Sequence, residues 1–586
     1  MTDFSTRVAA FFDEFFALDP LSATGAGMHA YDDRWPDLSP AGAAERLAFI
    51  DRWTVTFEAV DDAAIDGDDR ADRDIILGVV RAMRFDELEL REDTWSAMWW
   101  VYAIGEGFFG LISREFAPLA DRLASLAART EGLPAVLDAA RQTLRGGAGR
   151  PVDRFHAEKA LEQWPGLIGL VDQALETGDA AAAADEAVAA VLPRLRQARD
   201  AADAELASFE AHLRGSILPT TSGEGRLGPE LFGTKMGHTM KDATMTPDRI
   251  RERAEHEFSV VRAEMIRIAR DIAPEWLGGR PVPDDDGAAV RAVLDAIAVD
   301  HPDRDELLDF CRAELADIEA FCRDRDLIGL ADEPLEIAWT PVFLRAFGGA
   351  MLSSPGPLDK GQKAIFSITP IEAGASAEEV ESTLREDNAR MLRLLTIHEA
   401  VPGHYLQGVY ANRCPSLART IFWSGVYAEG WAVYVTQVMV DSGYQADDPA
   451  LLLTHWKFYL RAVINALIDV AIHTAGMTED EAVSLMVDGG FQEVAQARAK
   501  YDRARLSSTQ LSTYFVGSLA FWELEHEARR RAAAATGDAR GADAIAVPRV
   551  VGGYGETPGF RYREHLERLL VHGAPPMPLL RRLTLG

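Results

Sequence analysis

The sequence predicts a mainly α-helical protein: a large, multi-helix fold with a cleft and a small β element near residues 335–370. Three observations predict it. Apolar residues recur at helical spacing along most of the chain, as in 68–91, where Ile75, Ile76, Val79, Val80 and Met83 share one face. Good strand candidates are confined to LEIAWTPVFL (335–344) and AIFSITP (364–370), both short, rich in β-branched and aromatic residues, and bounded by Pro, Gly and Asp. Finally, 586 residues with 48% hydrophobic and 26% charged side chains match a globular protein with a substantial core.

Taken in order, residues 1–20 form a short amphipathic helix, followed by a connector rich in turn formers. Helices follow over 41–61, 68–91, 114–145 and 153–177, and a run of good helix formers from 181 to 215 is kinked at Pro193. Trp95, Trp99, Trp100 and Phe108 read as a packed seam between helices, with a cleft lining as the alternative. The stretch 214–233, rich in Gly, Pro, Ser and Thr, marks a boundary between an N-terminal helical half (1–215) and a C-terminal catalytic half (232–586), or a loop within one continuous domain. Helices resume over 246–272 and 287–325. Asp284–Asp286 lacks the alternating oxygen ligands of a calcium loop. Between the two strands, 346–361 reads as a flexible loop. Ala364–Ile368 is a candidate edge strand for holding a peptide substrate, with a structural hairpin as the plain alternative. The last helices cover 448–476, 478–506, 508–534 and 560–572, ahead of a Pro-rich tail. Residues 528–544 read as a frayed end and exposed loop, and VGGYGETPG (551–559) as a turn with no nucleotide role.

The formal net charge of −33 argues against nucleic acid or an anionic membrane as partner, since both select basic surfaces. Cys311, Cys322 and Cys414 form no disulfide framework and no zinc-finger spacing, which fits a reducing, cytoplasmic location. The first 20 residues lack the basic and uninterrupted apolar regions of a signal peptide. The apolar stretch 420–440 is long enough to suggest a membrane span, but its Ser424, Glu429, Thr436 and Gln437 favour a buried core helix. Oligomeric state is not legible.

The chemistry concentrates between Ser376 and Val440. Ser376 and Glu379 fit a capping box, and Val380, Leu384, Met391, Leu395 and His398 then fall on one helical stripe. His398-Glu399 is followed by a second histidine, His404, six residues on. In a regular helix that spacing sets the two rings on roughly opposite faces. Pro402 and Gly403 supply the irregularity that brings them together. Between Thr420 and Val440, Glu429 is the sole charged side chain, and a buried lone carboxylate requires a partner. Two histidines and a carboxylate around one Zn2+ ion, with a fourth position left for water, answer that requirement. Glu399 is placed to act as general base.

HEAVPGHYLQ (398–407) and YAEGWAVY (427–434) resemble the signature of the domain-of-unknown-function 885 family, large bacterial proteins regarded as metallopeptidase-like. Weaker similarity runs through FFALDPLSATGAGMHAYDD, GPELFG and REHLERLLVHGAPPMPLL. The resemblance implies a metallopeptidase-like fold with His398, His404 and Glu429 as metal ligands. It also implies a tyrosine ahead of a glycine downstream, matched by Tyr514 and Gly517.

The expected function is a zinc-dependent hydrolase, a metallopeptidase cleaving short peptides with Glu399 as general base. Two alternatives stand: an amidase acting on a non-peptide or acyl-amino-acid substrate, and a non-enzymatic, metal-stabilised binding protein. Tyr514 is the preferred oxyanion donor, with Tyr501 and His473 as substitutes. His473, four residues after Asp469, could instead form a local hydrogen bond. Arg461, Lys500, Arg503 and Arg505 are candidates for holding a substrate carboxylate. Glu481 and Glu493 are fallback ligands.

Overall fold

A computed structural model describes residues 3–147, 149–340, 345, 349–537 and 556–585. Helices account for 71% of the chain, so the fold is mainly α as expected. The chain divides into two compact units, 1–226 with 355–362, and 227–354 with 363–586. The division falls inside the 214–233 stretch, but the short segment 355–362 joins the first unit.

In the first unit, helices Asp3–Leu18 and Pro40–Glu58 meet through aromatic side chains, with Phe11 packed edge-on to Trp53 and Phe57 at 5.4 and 5.8 Å. Trp95, Trp100 and Phe108 are buried. The indoles of Trp95 and Trp100 donate to the carbonyls of Leu90 and Asp93 at 2.8 and 2.9 Å. This aromatic run is therefore a packed seam. Helix Glu186–His212 continues across Pro193.

Segment 355–362 is held by the Leu358 N–H on the Ala26 carbonyl (2.9 Å) and by His29. The His29 imidazole bridges Asp32 (2.9 Å) and Asp359 (3.0 Å) and stacks on Phe116 at 3.8 Å. Burial pulls its pKa down, but the two carboxylates outweigh this and raise it to about 9. A raised pKa means that the stabilisation is complete below the unfolded value near 6.5 and is lost as pH rises through about 9. We expect His29→Ala to cost on the order of 1–3 kcal/mol at pH 6.5 and much less at pH 10, measured by urea denaturation.

The second unit contains the sheet. Strands β1 (Leu335–Trp339), β2 (Ala350–Ser353) and β3 (Ala364–Ile368) lie in the order β1-β3-β2. β3 runs parallel to β1, Ile337 opposite Phe366, and antiparallel to β2, Met351 opposite Ser367. One face buries Ile337, Phe366 and Ile368 against Leu307, Leu308 and Cys311 of helix Leu307–Asp324, and against Leu384, Leu392 and Ala400. Two expectations are corrected here. Ala364–Ile368 is the central strand, paired on both sides, so it has no edge to offer a substrate. The stretch 346–361 is not simply a loop, because it contains β2. Residues 341–344 of the first strand candidate, and 346–348, lie outside the described residues.

The stripe from Val380 to His398 is not one helix. The capping box at Ser376 and Glu379 forms and starts helix Ala377–Glu386, but Asn388 caps a second helix, Ala389–Glu399, by accepting the N–H groups of Arg390 and Met391. Likewise 478–506 divides into Glu479–Ser484 and Val494–Leu506, and the tail holds a helix, Met577–Leu585. Helix Thr513–Ala535 covers most of 508–534, and Tyr562–Leu570 most of 560–572. Residues 538–555, and with them parts of the 528–544 and 551–559 segments, lie outside the described residues. Helix Pro449–Ala475 is long and apolar enough to cross a membrane, yet Trp456, Tyr459, Leu460 and Ile464 are buried within the unit.

Candidate metal centre

The first ligand helix ends where the sequence required an irregularity. Glu399 closes it, residues 400–403 turn, and a new helix, His404–Arg413, begins with Gly403 as its N-cap. A methyl group on Gly403 would sit 1.9 Å from the carbonyl oxygen of His398 and 2.3 Å from that of Ile397. Only a residue without Cβ lets the chain fold back this tightly on the helix end. The turn is tied down by Trp431, whose indole N–H donates to the Pro402 carbonyl at 2.8 Å. The result brings the rings of His398 and His404 together, with centroids 4.8 Å apart and planes at 84°.

The third residue comes from helix Gly425–Asp441, where Ser424 is the N-cap, accepting the Tyr427 N–H. This helix crosses Thr513–Ala535 glycine on glycine. A methyl on Gly430 would lie 2.3 Å from the Gly517 carbonyl carbon, and one on Gly517 would lie 2.0 Å from the Val426 carbonyl oxygen. Backbone contact at this crossing fixes Glu429, the neighbour of Gly430, relative to Tyr514, one turn before Gly517. Accordingly the Tyr514 hydroxyl reaches the Glu429 carboxylate. It also accepts from Gln510 Nε2 at 3.4 Å and Arg503 Nη2 at 3.5 Å.

Donor atoms of His398, His404 and Glu429 all lie within 4.8 Å of one another. His404 Nε2 stands 3.4 Å from Glu429 Oε2. Two ligands at 2.0–2.2 Å from one tetrahedral zinc are about 3.4 Å apart, so this pair already has the required span. His398 Nδ1 and Glu429 Oε2 are buried and have no hydrogen-bond partner. Orphaned buried polar atoms are costly, and a bound cation is the partner that a set of two imidazoles and a carboxylate fits. His398 is 6% exposed, whereas the His404 and Glu429 side chains are 17% and 21% exposed, so access is from their side.

The charges of the site are coupled. Burial, then the neighbouring His404, push His398 down to about 3, so it is a neutral imidazole, the form that binds metal. Burial also disfavours the charged form of His404, but the carboxylates of Glu429 and Glu399 outweigh it and raise its pKa. Glu429 is desolvated too, and His404 nevertheless holds it below the usual carboxylate range. Glu399 differs. Burial and the Glu429 charge raise it to about 7, against the opposing pull of His404 and the Leu352 N–H of β2. Glu399 thus sits beside the three candidate ligands with a proton affinity near neutral.

Of the other candidates, Tyr514 is brought to the site and His473 is not. His473 Nε2 faces the Ala504 carbonyl at 3.0 Å, Nδ1 accepts from the Leu227 N–H at 3.2 Å, and Phe232 stacks on the ring at 4.9 Å. Nor does it pair with Asp469, which accepts from the N–H groups of Thr509 and Ser512 and the Ser512 hydroxyl. Tyr501 is buried under Arg505, whose guanidinium lies 4.5 Å from the ring centroid. Glu481 is occupied in the cap of Thr478, and Glu493 is exposed. The Leu352 contact to Glu399 escaped the sequence reading. Its only signal was a three-residue apolar run, Ala350–Leu352, after Gly349.

These features define a large helical protein with a buried two-histidine, one-carboxylate centre and an adjoining non-ligand glutamate. The chain belongs to DUF885, the family described as bacterial protein of unknown function, whose profile matches residues 20–583. Among solved structures, a candidate lipoprotein of unknown function from Shewanella oneidensis is 29% identical, covers all of both chains and superposes with a TM-score of 0.81. A second candidate lipoprotein, from Colwellia psychrerythraea, is 16% identical and shares the fold, with a TM-score of 0.76 over 99% of this chain and 98% of that one. No curated protein matches the chain.

Proposed function

We propose that the protein is a zinc-dependent hydrolase that cleaves short peptides, with His398, His404 and Glu429 holding one Zn2+ ion. Glu399 carries this reading. A structural metal site needs ligands only, yet here a buried carboxyl that is not a ligand adjoins them with its pKa raised to about 7. Zinc in such a site supplies Lewis acidity and acidifies water.

The chain's own groups supply the rest. Glu399 accepts a proton from the attacking water and can return it to the leaving nitrogen, while the Leu352 N–H orients its carboxylate. Tyr514 stays neutral, since burial and then the Glu429 charge push its pKa up to about 12. Its hydroxyl therefore keeps the single proton that it now directs at Glu429, and turning that O–H from Glu429 lets it donate to the oxyanion developing on the attacked carbonyl.

The test is metal analysis of the purified protein together with digestion of a peptide library before and after chelation. One zinc per chain and cleavage that chelation abolishes and zinc restores are expected. A protein that neither holds nor binds zinc overturns the reading. Cleavage should also rise with pH to a plateau. Glu399 is active as the anion, and a bound cation pulls its pKa to or below the metal-free value of about 7. A rate that falls as pH rises from 5 to 7 contradicts its role as base. We place the protein in the cytoplasm on its low cysteine content, three in 586 residues. Fractionation with membranes, as the lipoprotein descriptions of the two neighbours would suggest, would overturn that placement.

A further inference from the structure

Beside the metal centre is a group of cations with too few anions. Lys500 and Arg503 are three residues apart on helix Val494–Leu506 and so share a face. Arg503 Nη2 stands 3.5 Å from the Tyr514 hydroxyl, which in turn reaches Glu429. Arg461 approaches from helix Pro449–Ala475. Three residues earlier on it, Phe458 packs against the His398 ring at 5.4 Å. The anion nearest Arg461 is Glu386 at 3.4 Å, and that carboxylate is shared with Lys457 at 3.0 Å.

Among the described residues, no carboxylate lies within ion-pair distance of the Lys500 ammonium. The charges that act on it are Arg461 and Arg503, which repel it, and Glu429, which attracts it. Glu429 is already committed to the two histidines. Holding a half-buried ammonium near two guanidinium groups, with no carboxylate of its own, is unfavourable by itself. A chain with a net charge of −33 has abundant carboxylates, yet among the described residues none pairs with Lys500.

We propose that Lys500, flanked by Arg461 and Arg503, is the receptor for a free carboxylate on the substrate, so that the protein hydrolyses amides whose leaving amine carries an α-carboxylate. That class comprises the last bond of a peptide and the amide of an N-acyl amino acid. The proposal rests on the hydrolase reading above and narrows it. Lys500 and Arg503 adjoin Glu429 and Tyr514, so the bound carboxylate belongs to the residue next to the scissile amide. Hydrolysis breaks the C–N bond. Water gives its hydroxyl to the acyl carbon and a proton to the amine, so no further reactant is needed. A substrate carboxylate also supplies the anion that the cluster lacks.

The experiment separates binding from turnover. Zinc-loaded Glu399→Gln protein is titrated calorimetrically with benzoylated glycyl-phenylalanine as the free acid and as its C-terminal amide. The acid should bind at least tenfold more tightly. Lys500→Met in the same background should abolish that preference, and Lys500→Arg should retain most of it. Lys500→Met removes a half-buried charge that lies near two other cations, so its thermal midpoint should not fall.

Equal binding of acid and amide, or a Lys500→Met variant that weakens both alike, overturns the proposal. Hydrolysis of the two forms at equal rates by the wild type also overturns it and leaves the hydrolase reading standing. If the acid preference holds but neither peptides nor N-acetyl amino acids are hydrolysed, the carboxylate receptor stands and the hydrolase reading falls. Comparing the free-acid peptide with N-acetyl-phenylalanine then identifies which member of the class fits better.

Discussion

Glu399→Gln is expected to lower hydrolysis by about 10²–10⁴-fold while leaving zinc content unchanged. The substitution keeps the shape and the acceptor for the Leu352 N–H and removes only the group that takes the proton. Glu399 is 8% exposed and its pKa is raised, so its ionisation costs the fold free energy that glutamine does not. The variant should therefore be at least as stable as the wild type at pH 8. The assay is the rate on a cleaved peptide, with metal content and thermal midpoint measured on the same preparation. A variant as active as the wild type would remove Glu399 from the mechanism. One that loses its zinc would make it a ligand instead.

The second large effect is expected at Gly403. Alanine there sets a methyl 1.9 Å from one backbone carbonyl oxygen and 2.3 Å from another. Neither oxygen can step aside, because both belong to the end of the helix that carries His398. The turn must open, at a cost of about 3 kcal/mol or more, as expected for overpacking against backbone. Opening it carries His404 away from His398, so zinc affinity should fall together with stability. Thermal denaturation and zinc titration of Gly403→Ala check this. A variant with wild-type affinity would show that the tight turn does not set the ligand geometry.

The candidate site was legible where the signals were local and independent. The histidine spacing, the Pro402-Gly403 pair and the isolated Glu429 each constrained the same centre, and the structure brings all three residues together. The local pairing of His473 with Asp469 that their four-residue spacing suggested does not form. The actual partners of the two, near 227, 504, 509 and 512, are remote in sequence. The break at Asn388 was overlooked for the opposite reason. The apolar stripe continues in register across the two helices, so periodicity concealed a cap. Strand order depends on pairings that no short window contains. Ala364–Ile368 was therefore recognised as a strand and mistaken for an edge.

The glycine-on-glycine crossing of Gly430 and Gly517 also bears on how easily the centre can be assembled. No side chain lies between the two backbones at that point, so no rotamer there has to be selected and no spacer can be compressed. Glu429 and Tyr514 are set in relation to each other by this main-chain contact, backed by Tyr427, Trp431 and Tyr434 packing on Phe521, and that relation exists before any ion arrives. An ion entering such a frame has little disorder to remove. Most of its binding free energy therefore remains as affinity, and occupancy should depend on the supply of metal far more than on the folding state of the chain.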